Sequence, residues 1–363
     1  MTGPAPRAAV QKIGVYVPGK SRADGASRVI KLSANENALG CSPKARAAYL
    51  AAADELFRYP DGRATALRKA VAQKFAVDPQ RLIFGAGSDE IFTLACQAFL
   101  DPGDNAVQPE FGFAAWRLAV AASDCEMRFA PENDFTVDVD TILARVDAKT
   151  KIVFIANPAN PTGSAIPFAD VRRLQAVLPA QTLLILDGAY AEFARAAPGF
   201  EDGLCLARAA PNVLMTRTFS KLYGLAGQRI GWAYGPEGVI AALDRVRLPF
   251  NTTRPAQAAA IAALDDDAFV DASIAHVDRE RAKLVSFFDS LGVRSIPSLA
   301  NFVTIVLDRA DEAQAIDAAL GARGILVRGL GNYDMPDCIR VTVAGAEEMA
   351  VFREEFASAF GRR

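Results

Sequence analysis

Leu183-Leu184-Ile185-Leu186-Asp187-Gly188-Ala189-Tyr190 reads as a fully apolar strand that ends in an acid. Strand-like runs lie outward from it on both sides, at 81–84, 105–108, 125–129, 151–156, 212–216 and 230–234, with the central run itself at 182–186. Helical patterns at 89–100, 112–122 and 168–178 separate several of them. Strands alternating with helices imply an α/β fold with a mostly parallel, seven-stranded sheet covered by helices on both faces. Such sheets bind ligands at the carboxyl ends of their strands, and Asp187 lies at one of those ends. A carboxylate there is unfavourable unless a cation or a protonated group meets it. Taken alone, it could equally cap the next helix.

Two other strand ends carry chemistry. Downstream, Val213-Leu214-Met215 leads into Arg217-Thr218-Phe219-Ser220-Lys221-Leu222-Tyr223-Gly224-Leu225-Ala226-Gly227-Gln228-Arg229. A Thr/Ser-rich turn there presents Lys221. Partial desolvation and cationic neighbours lower a lysine's pKa and free its amine to form a Schiff base with an aldehyde. The Ser220 hydroxyl and the Arg229 guanidinium then suit a phosphate. By itself Lys221 is also readable as a surface lysine. Upstream, 151–156 runs into Asn157-Pro158-Ala159-Asn160-Pro161-Thr162-Gly163, two Asn-Pro pairs that fix a turn and aim the Asn160 amide across the sheet edge. Earlier still, Gly85-Ala86-Gly87-Ser88 follows a strand and opens a helix. Glu90 stands where a dinucleotide fingerprint needs its third glycine. A short cradle, with the Ser88 and Asp89 N–H groups holding a monophosphate, is the better reading; a plain glycine turn is the alternative. A protonated pyridine nitrogen would satisfy Asp187, and an ionised aspartate keeps such a ring an electron sink. Tyr190 is placed to hydrogen-bond that ring's phenolic oxygen.

Composition sets the outer limits. The 363 residues suffice for a large core and more than one lobe. A net charge of −2 argues against a nucleic-acid partner. Cys41, Cys96, Cys125, Cys205 and Cys338 are scattered, show no metal-ligand spacing, and suggest a reducing compartment. His276 is the single histidine, so neither a histidine triad nor a histidine-rich metal site is available, and no metal is expected. No signal-peptide core and no membrane-spanning run is apparent. The expected setting is the cytoplasm, with no membrane partner.

These motifs resemble the fold-type I pyridoxal-phosphate aminotransferases, closest to the histidinol-phosphate aminotransferases among them. Tyr16-Val17-Pro18-Gly19-Lys20, Leu32-Ser33-Ala34-Asn35-Glu36-Asn37-Ala38-Leu39-Gly40, Tyr59-Pro60-Asp61-Gly62 and Gly85-Ala86-Gly87-Ser88-Asp89-Glu90 match that family's opening signatures. Gly324-Ile325-Leu326-Val327-Arg328 and Ile339-Arg340-Val341-Thr342-Val343 match its two arginine-bearing strands. The resemblance implies pyridoxal 5′-phosphate bound by Lys221, Ser88, Asp89, Asn160, Asp187, Tyr190, Ser220 and Arg229. Phe111 takes the place of a ring that stacks on the pyridine. Tyr59 reaches the cofactor phosphate of a neighbouring subunit, which implies a homodimer with shared active sites. Tyr16, Asn37, Arg328 and Arg340 become substrate ligands. The implied reaction is ping-pong transamination between histidinol phosphate and 2-oxoglutarate in L-histidine biosynthesis.

Relatives that use phenylalanine or tyrosine keep an aromatic amino-acid donor open, and Trp116, Phe111 and Phe113 could serve either ring. A threonine-phosphate decarboxylase-like enzyme and a non-catalytic binding module are further alternatives. Ala38 and Gly188 depart from the family pattern, and Arg254 is an extra arginine near the expected pocket. After Pro249 the pattern changes to a long helix at 265–291, short strands at 293–296, 302–306, 325–327 and 338–343, and helices at 311–321 and 346–360. A large domain at 45–250 is therefore expected, with 1–44 and 251–363 together forming a smaller α/β domain.

Overall fold

A computed structural model of the chain describes residues 3–15, 19–20 and 28–361. Its central sheet has seven strands in the order Leu82–Gly85, Gly231–Tyr234, Val213–Thr218, Leu183–Asp187, Thr150–Ala156, Asn105–Pro109, Glu126–Ala130. All pairings are parallel except those of Gly231–Tyr234, which runs antiparallel to both neighbours. The seven strands anticipated from the apolar runs are all present, with ends shifted by one or two residues.

The continuous apolar runs follow from the two cores. Successive side chains of a strand point to opposite faces. Leu184 and Leu186 join Val153, Ile155 and Met215 in one buried cluster. Leu183 and Ile185 join Ile152, Phe154 and Leu214 in the other. The edge strand Glu126–Ala130 is covered on fewer sides, and Arg128 there pairs with Asp147 at 2.7 Å. Because Thr150–Ala156, Leu183–Asp187 and Val213–Thr218 are direct neighbours, the loops bearing Asn160, Asp187 and Lys221 emerge side by side.

The C-terminal part forms a second sheet, antiparallel, in the order Arg328–Leu330, Met335–Thr342, Phe302–Val306, Arg294–Ile296. The strand expected at 325–327 is divided: Ile325–Leu326 pairs in parallel with Ile30–Lys31, and Arg328–Leu330 joins the four-stranded sheet. The N-terminal segment therefore packs with this lobe, where Ile30 and Leu32 are buried with Leu284, Phe288 and Phe352.

Thr253 caps, and Pro255 helps to open, a helix Arg254–Leu264 that the sequence pattern does not anticipate. It packs on Pro43–Ala51 and Thr65–Phe75 of the larger lobe. The long helix Asp267–Ser290 then crosses between lobes. Val270, Ile274 and Val277 belong to the larger core, Leu284 and Phe288 to the smaller. We propose that the lobe boundary lies within this helix rather than at 250/251.

Phe288 is fully buried and packs edge-on against Phe356 at 5.2 Å and Phe352 at 6.3 Å. Phe288→Ala should destabilise the smaller lobe by about 3–5 kcal/mol through lost burial and a residual cavity. Urea unfolding followed by circular dichroism measures it.

Candidate active site

The turn after Val213–Thr218 is built by hydroxyls. Thr218 Oγ1 accepts from the Ser220 N–H at 3.1 Å and donates to Ser220 Oγ at 2.9 Å. Phe219, fully buried, anchors the turn, and Lys221 is left half-buried with Nζ donating to the Ala34 carbonyl at 3.0 Å. Loss of water, reinforced by Arg340, lowers its pKa to about 8. One strand over, Asp187 is buried, and Oδ1 accepts from Thr216 Oγ1 at 3.1 Å and from the Ala189 N–H at 3.2 Å. These are the carboxylate's hydrogen bonds among the described residues, which leaves Oδ2 for a donor in the cavity. Burial pushes the Asp187 pKa up to about 7.

On the other flank, the Asn157 side chain staples its loop by exchanging two hydrogen bonds with the Ile166 backbone, at 3.0 and 3.1 Å. Both Asn–Pro bonds in this loop are cis. Asn160 Oδ1 accepts from Arg340 Nη1, while Arg340 Nη2 donates to the Ser33 carbonyl at 3.0 Å. The Tyr190 hydroxyl oxygen accepts from Asn35 Nδ2 at 2.9 Å.

An anion cradle closes the opposite end. Gly87, at φ +81°, precedes the helix Ser88–Phe99, whose first-turn N–H groups have no intrahelical acceptor. Arg229 pairs with Asp89 at 2.9 Å and donates to Ser220 Oγ at 3.3 Å. A Cβ at Gly87 would strike the Arg229 guanidinium, and one at Gly231 would come within 2.6 Å of the Ser88 nitrogen. The glycines are therefore what let cation and helix terminus approach each other. Ser88, Asp89, Asn160, Asp187, Tyr190, Ser220, Lys221 and Arg229 line one cavity of about 140 Å³. Its donor set fits a phosphorylated aromatic aldehyde: a cation, hydroxyls and helix N–H groups at one end, an amine and an unmet carboxylate at the other.

Other expected residues lie elsewhere. Phe113 lines the cavity, whereas Phe111 packs on Phe135 at 5.6 Å with its N–H held by Glu132. Trp116 is fully buried, stacked on Phe154 at 5.0 Å, so it is a core ring and not one that meets substrate. Tyr59 is 77% exposed and stacks on Phe250 at 4.7 Å, away from this chain's own cavity. Asn37 is engaged structurally, its amide donating to the Leu222 carbonyl at 2.5 Å and to Ser273 Oγ at 3.3 Å. Arg328 is buried and faces Arg340 in register across the antiparallel pair. Tyr16 lies outside the described residues. Arg254 is taken up by Glu55 at 2.9 Å and the Tyr59 carbonyl at 3.2 Å.

Gly188 has a physical reason. A Cβ there would meet Arg217 Cδ and Nε at 3.0 Å, and Arg217 is held by Glu192 at 2.7 Å and Asp202 at 2.5 Å. Asn35 and the Ala34 carbonyl reach Tyr190 and Lys221 from the 32–40 motif, in which Asn37 alone is the expected ligand. The Thr/Ser-rich turn read from the sequence is the Thr218–Ser220 hydroxyl pair.

The aminotransferase class I and II family model matches residues 27–354. Histidinol-phosphate aminotransferase 1 of Caulobacter vibrioides is 49% identical, over 98% of this chain and 100% of its own length. Histidinol-phosphate aminotransferase of Rhodopseudomonas palustris is 44% identical, over 96% of each chain. The crystal structure of the Sinorhizobium meliloti histidinol-phosphate aminotransferase with pyridoxal-5′-phosphate superposes with a TM-score of 0.91 at 28% identity, covering 98% of this chain and 97% of that one. An aspartate aminotransferase from Thermus thermophilus shares the fold, with a TM-score of 0.81 at 23% identity over 91% of each chain.

An acid whose pKa rises from 3.8 to about 7 on folding is protonated in the folded state where the unfolded chain has already ionised. Its contribution to stability is complete below about pH 4 and is lost as the pH rises through 7. In the cofactor-free chain, Asp187→Asn should therefore reduce the fall in stability between about pH 4 and pH 7, as read by urea midpoints across that range.

Proposed function

We infer the reaction from one premise: this chain belongs to the class I and II aminotransferases. We propose that it moves the amino group of L-histidinol phosphate to 2-oxoglutarate, in L-histidine biosynthesis, with pyridoxal 5′-phosphate as cofactor. The observation that carries the reading is that an amine of lowered pKa, a buried carboxylate with no ion pair among the described residues and a phosphate cradle converge on one cavity. The names of its relatives supply the donor.

When bound, the cofactor supplies an aldehyde that exchanges amino groups and a ring that takes up the electron pair released at the substrate carbon. Arg229, Ser220 and the Ser88 and Asp89 N–H groups would hold its phosphate. Asp187 would meet a protonated ring nitrogen, and Asn160 and Tyr190 would hold the ring oxygen. Phe113, on the cavity wall, is placed to pack against the ring, the part expected of Phe111. Lys221 would hold the cofactor's aldehyde end. Its amine, with a pKa near 8, then both takes and returns a proton at the substrate carbon near neutral pH.

Arg340 stands beside Lys221 and Asn160 and reads the substrate's anionic group. Arg328, its neighbour in register, adds a second guanidinium. Guanidinium groups bind carboxylate and phosphate alike, so one site can serve both half-reactions in turn. An aromatic amino-acid donor is not favoured, and Trp116, one of the rings available to it in the sequence, is locked in the core.

The proposal includes a homodimer. Leu56, Phe57, Tyr59 and Phe250 form an exposed apolar patch of the kind that marks an interface, and Tyr59 would reach the partner's phosphate cradle from it. A cytoplasmic setting completes the reading. All five cysteines are free thiols, and among the described residues no helix is long and apolar enough to cross a membrane.

Rapid mixing of the cofactor-loaded enzyme with L-histidinol phosphate should discharge the absorbance of the aldehyde form in one turnover, much faster than L-phenylalanine does. Lys221→Ala should slow that step by about 10²–10⁴-fold or more, the usual worth of a positioned acid–base group. The reverse order of donors would overturn the substrate. Sedimentation should show a dimer, and Tyr59→Phe should weaken cofactor retention. A monomer with wild-type retention in that variant would remove the shared site.

A further inference from the structure

Asn35 is 1% exposed and adopts φ 55°, a left-handed conformation that asparagine tolerates but does not need its side chain to reach. Its backbone N–H donates to Thr342 Oγ1 at 2.9 Å, and its carbonyl accepts from Asn301 Nδ2 at 3.0 Å. Its side-chain Oδ1 accepts from Thr342 Oγ1 at 3.1 Å, and Nδ2 donates to the Tyr190 hydroxyl oxygen at 2.9 Å. The directions are linked. Thr342 Oγ1 receives the backbone N–H and gives its own proton to Oδ1, and the NH₂ side of the amide faces Tyr190. With that donor on the phenolic oxygen, the Tyr190 proton points elsewhere. Tyr190 is 3% exposed, its hydroxyl makes no other hydrogen bond among the described residues, and its polar outlet is the cavity it lines with Lys221 and Asp187.

We propose that Asn35 is a positioning residue: its amide, locked by Thr342, turns the Tyr190 hydroxyl proton into the cavity as a donor to the cofactor's ring oxygen. The inference rests on the proposed reaction, since that oxygen belongs to the bound cofactor. A structural tie would need only the Thr342 and Asn301 bonds. The bond to Tyr190 is the one that sets a proton's direction.

The consequence is electrostatic. A hydroxyl donor on the ring oxygen weakens that oxygen as a partner for the proton on the Lys221 nitrogen. Losing the donor strengthens the partnership and raises the pH at which the proton leaves. The other charged and titratable groups facing the pair are unchanged by substitution at 35: Arg340, Asp89, Glu36 and Arg229 around Lys221, and Arg340, Asp187 and Tyr333 around Tyr190.

The test uses the cofactor-loaded protein and the midpoint of its pH-dependent absorbance change, not its turnover. Asn35→Gly removes the amide while keeping the left-handed backbone unstrained. It should raise the midpoint by about one pH unit, the scale of one good hydrogen bond. Asn35→Asp keeps the size, presents an acceptor that draws the tyrosine proton to itself, and should raise the midpoint at least as far; it carries the test if the glycine variant does not fold. Tyr190→Phe should raise the midpoint too, and Asn35→Gly added to it should then change nothing. A wild-type midpoint in the position-35 variants, or an equal shift with and without the Tyr190 hydroxyl, would overturn the inference and leave the proposed reaction standing. Absence in the wild type of any absorbance band that Lys221→Ala abolishes would overturn both.

Discussion

Asp187 has lost its water to the sheet that carries it and holds no ion pair among the described residues. Its pKa rises to about 7 for that reason. Lys221, on the neighbouring strand end, is pushed the other way, to about 8, by the same desolvation. The two groups face one cavity, and no ion pair among the described residues joins them. Their desolvation is met when the chain folds, by the apolar strands that fill both cores. A ligand that brings a cationic ring nitrogen, an aldehyde and a phosphate then finds each partner already in place and already unhydrated. Preorganisation of this kind limits the reorientation that the site must undergo during reaction.

The apolar strands do more than bury Asp187. They fix where the site loops emerge, and a buried ion cluster fixes the turn at Asp187 itself. Arg217 lies beneath Gly188, held by Glu192 and Asp202, with the Phe75 ring 6.0 Å from its guanidinium. A Cβ at 188 would need the Arg217 side chain, which two carboxylates hold, to give by a few tenths of an ångström. The absence of a side chain at 188 and the presence of arginine at 217 are thus one structural choice, made across two adjacent strands.

The parts of the molecule that were legible in the sequence share one property: their signals are local. The seven strands announce themselves as apolar runs because both faces are covered. Asn160, Asp187, Lys221 and Arg229 announce themselves because each sits in its own short motif. Asn35 sits in a motif as well, but the motif does not show what it touches, since its tyrosine partner is 155 residues away. The Ala34 carbonyl that holds the Lys221 amine is 187 residues from it. Phe111 and Phe113 cannot be told apart by pattern, because a two-residue offset in a turn decides which ring faces the cavity. Trp116 looks available for a substrate ring until Phe92 and Phe154 are seen to enclose it. The break between Ile325–Leu326 and Arg328–Leu330 is equally invisible in sequence, since it reflects a choice between two partners distant along the chain.

Segment 33–37 is where the non-local contacts gather. Ser33 accepts from Arg340, Ala34 from Lys221, Asn35 donates to Tyr190, and Asn37 donates to the backbone of Leu222. Just before it, Ile30 and Leu32 are bonded to the Gly324 and Leu326 carbonyls of the smaller lobe. The segment is therefore anchored in the smaller lobe, where Arg340 and Thr342 also bond to it, and reaches Lys221, Tyr190 and Leu222 of the larger one. Any change in the angle between lobes must be felt at the lysine and the tyrosine together, since one short stretch of backbone ties both to the smaller lobe. The link is directional as well as mechanical. Thr342, on the smaller lobe's strand, sets the Asn35 amide, and that amide sets the tyrosine proton. The larger lobe supplies the ionisable groups, but their proton geometry is completed by the smaller one.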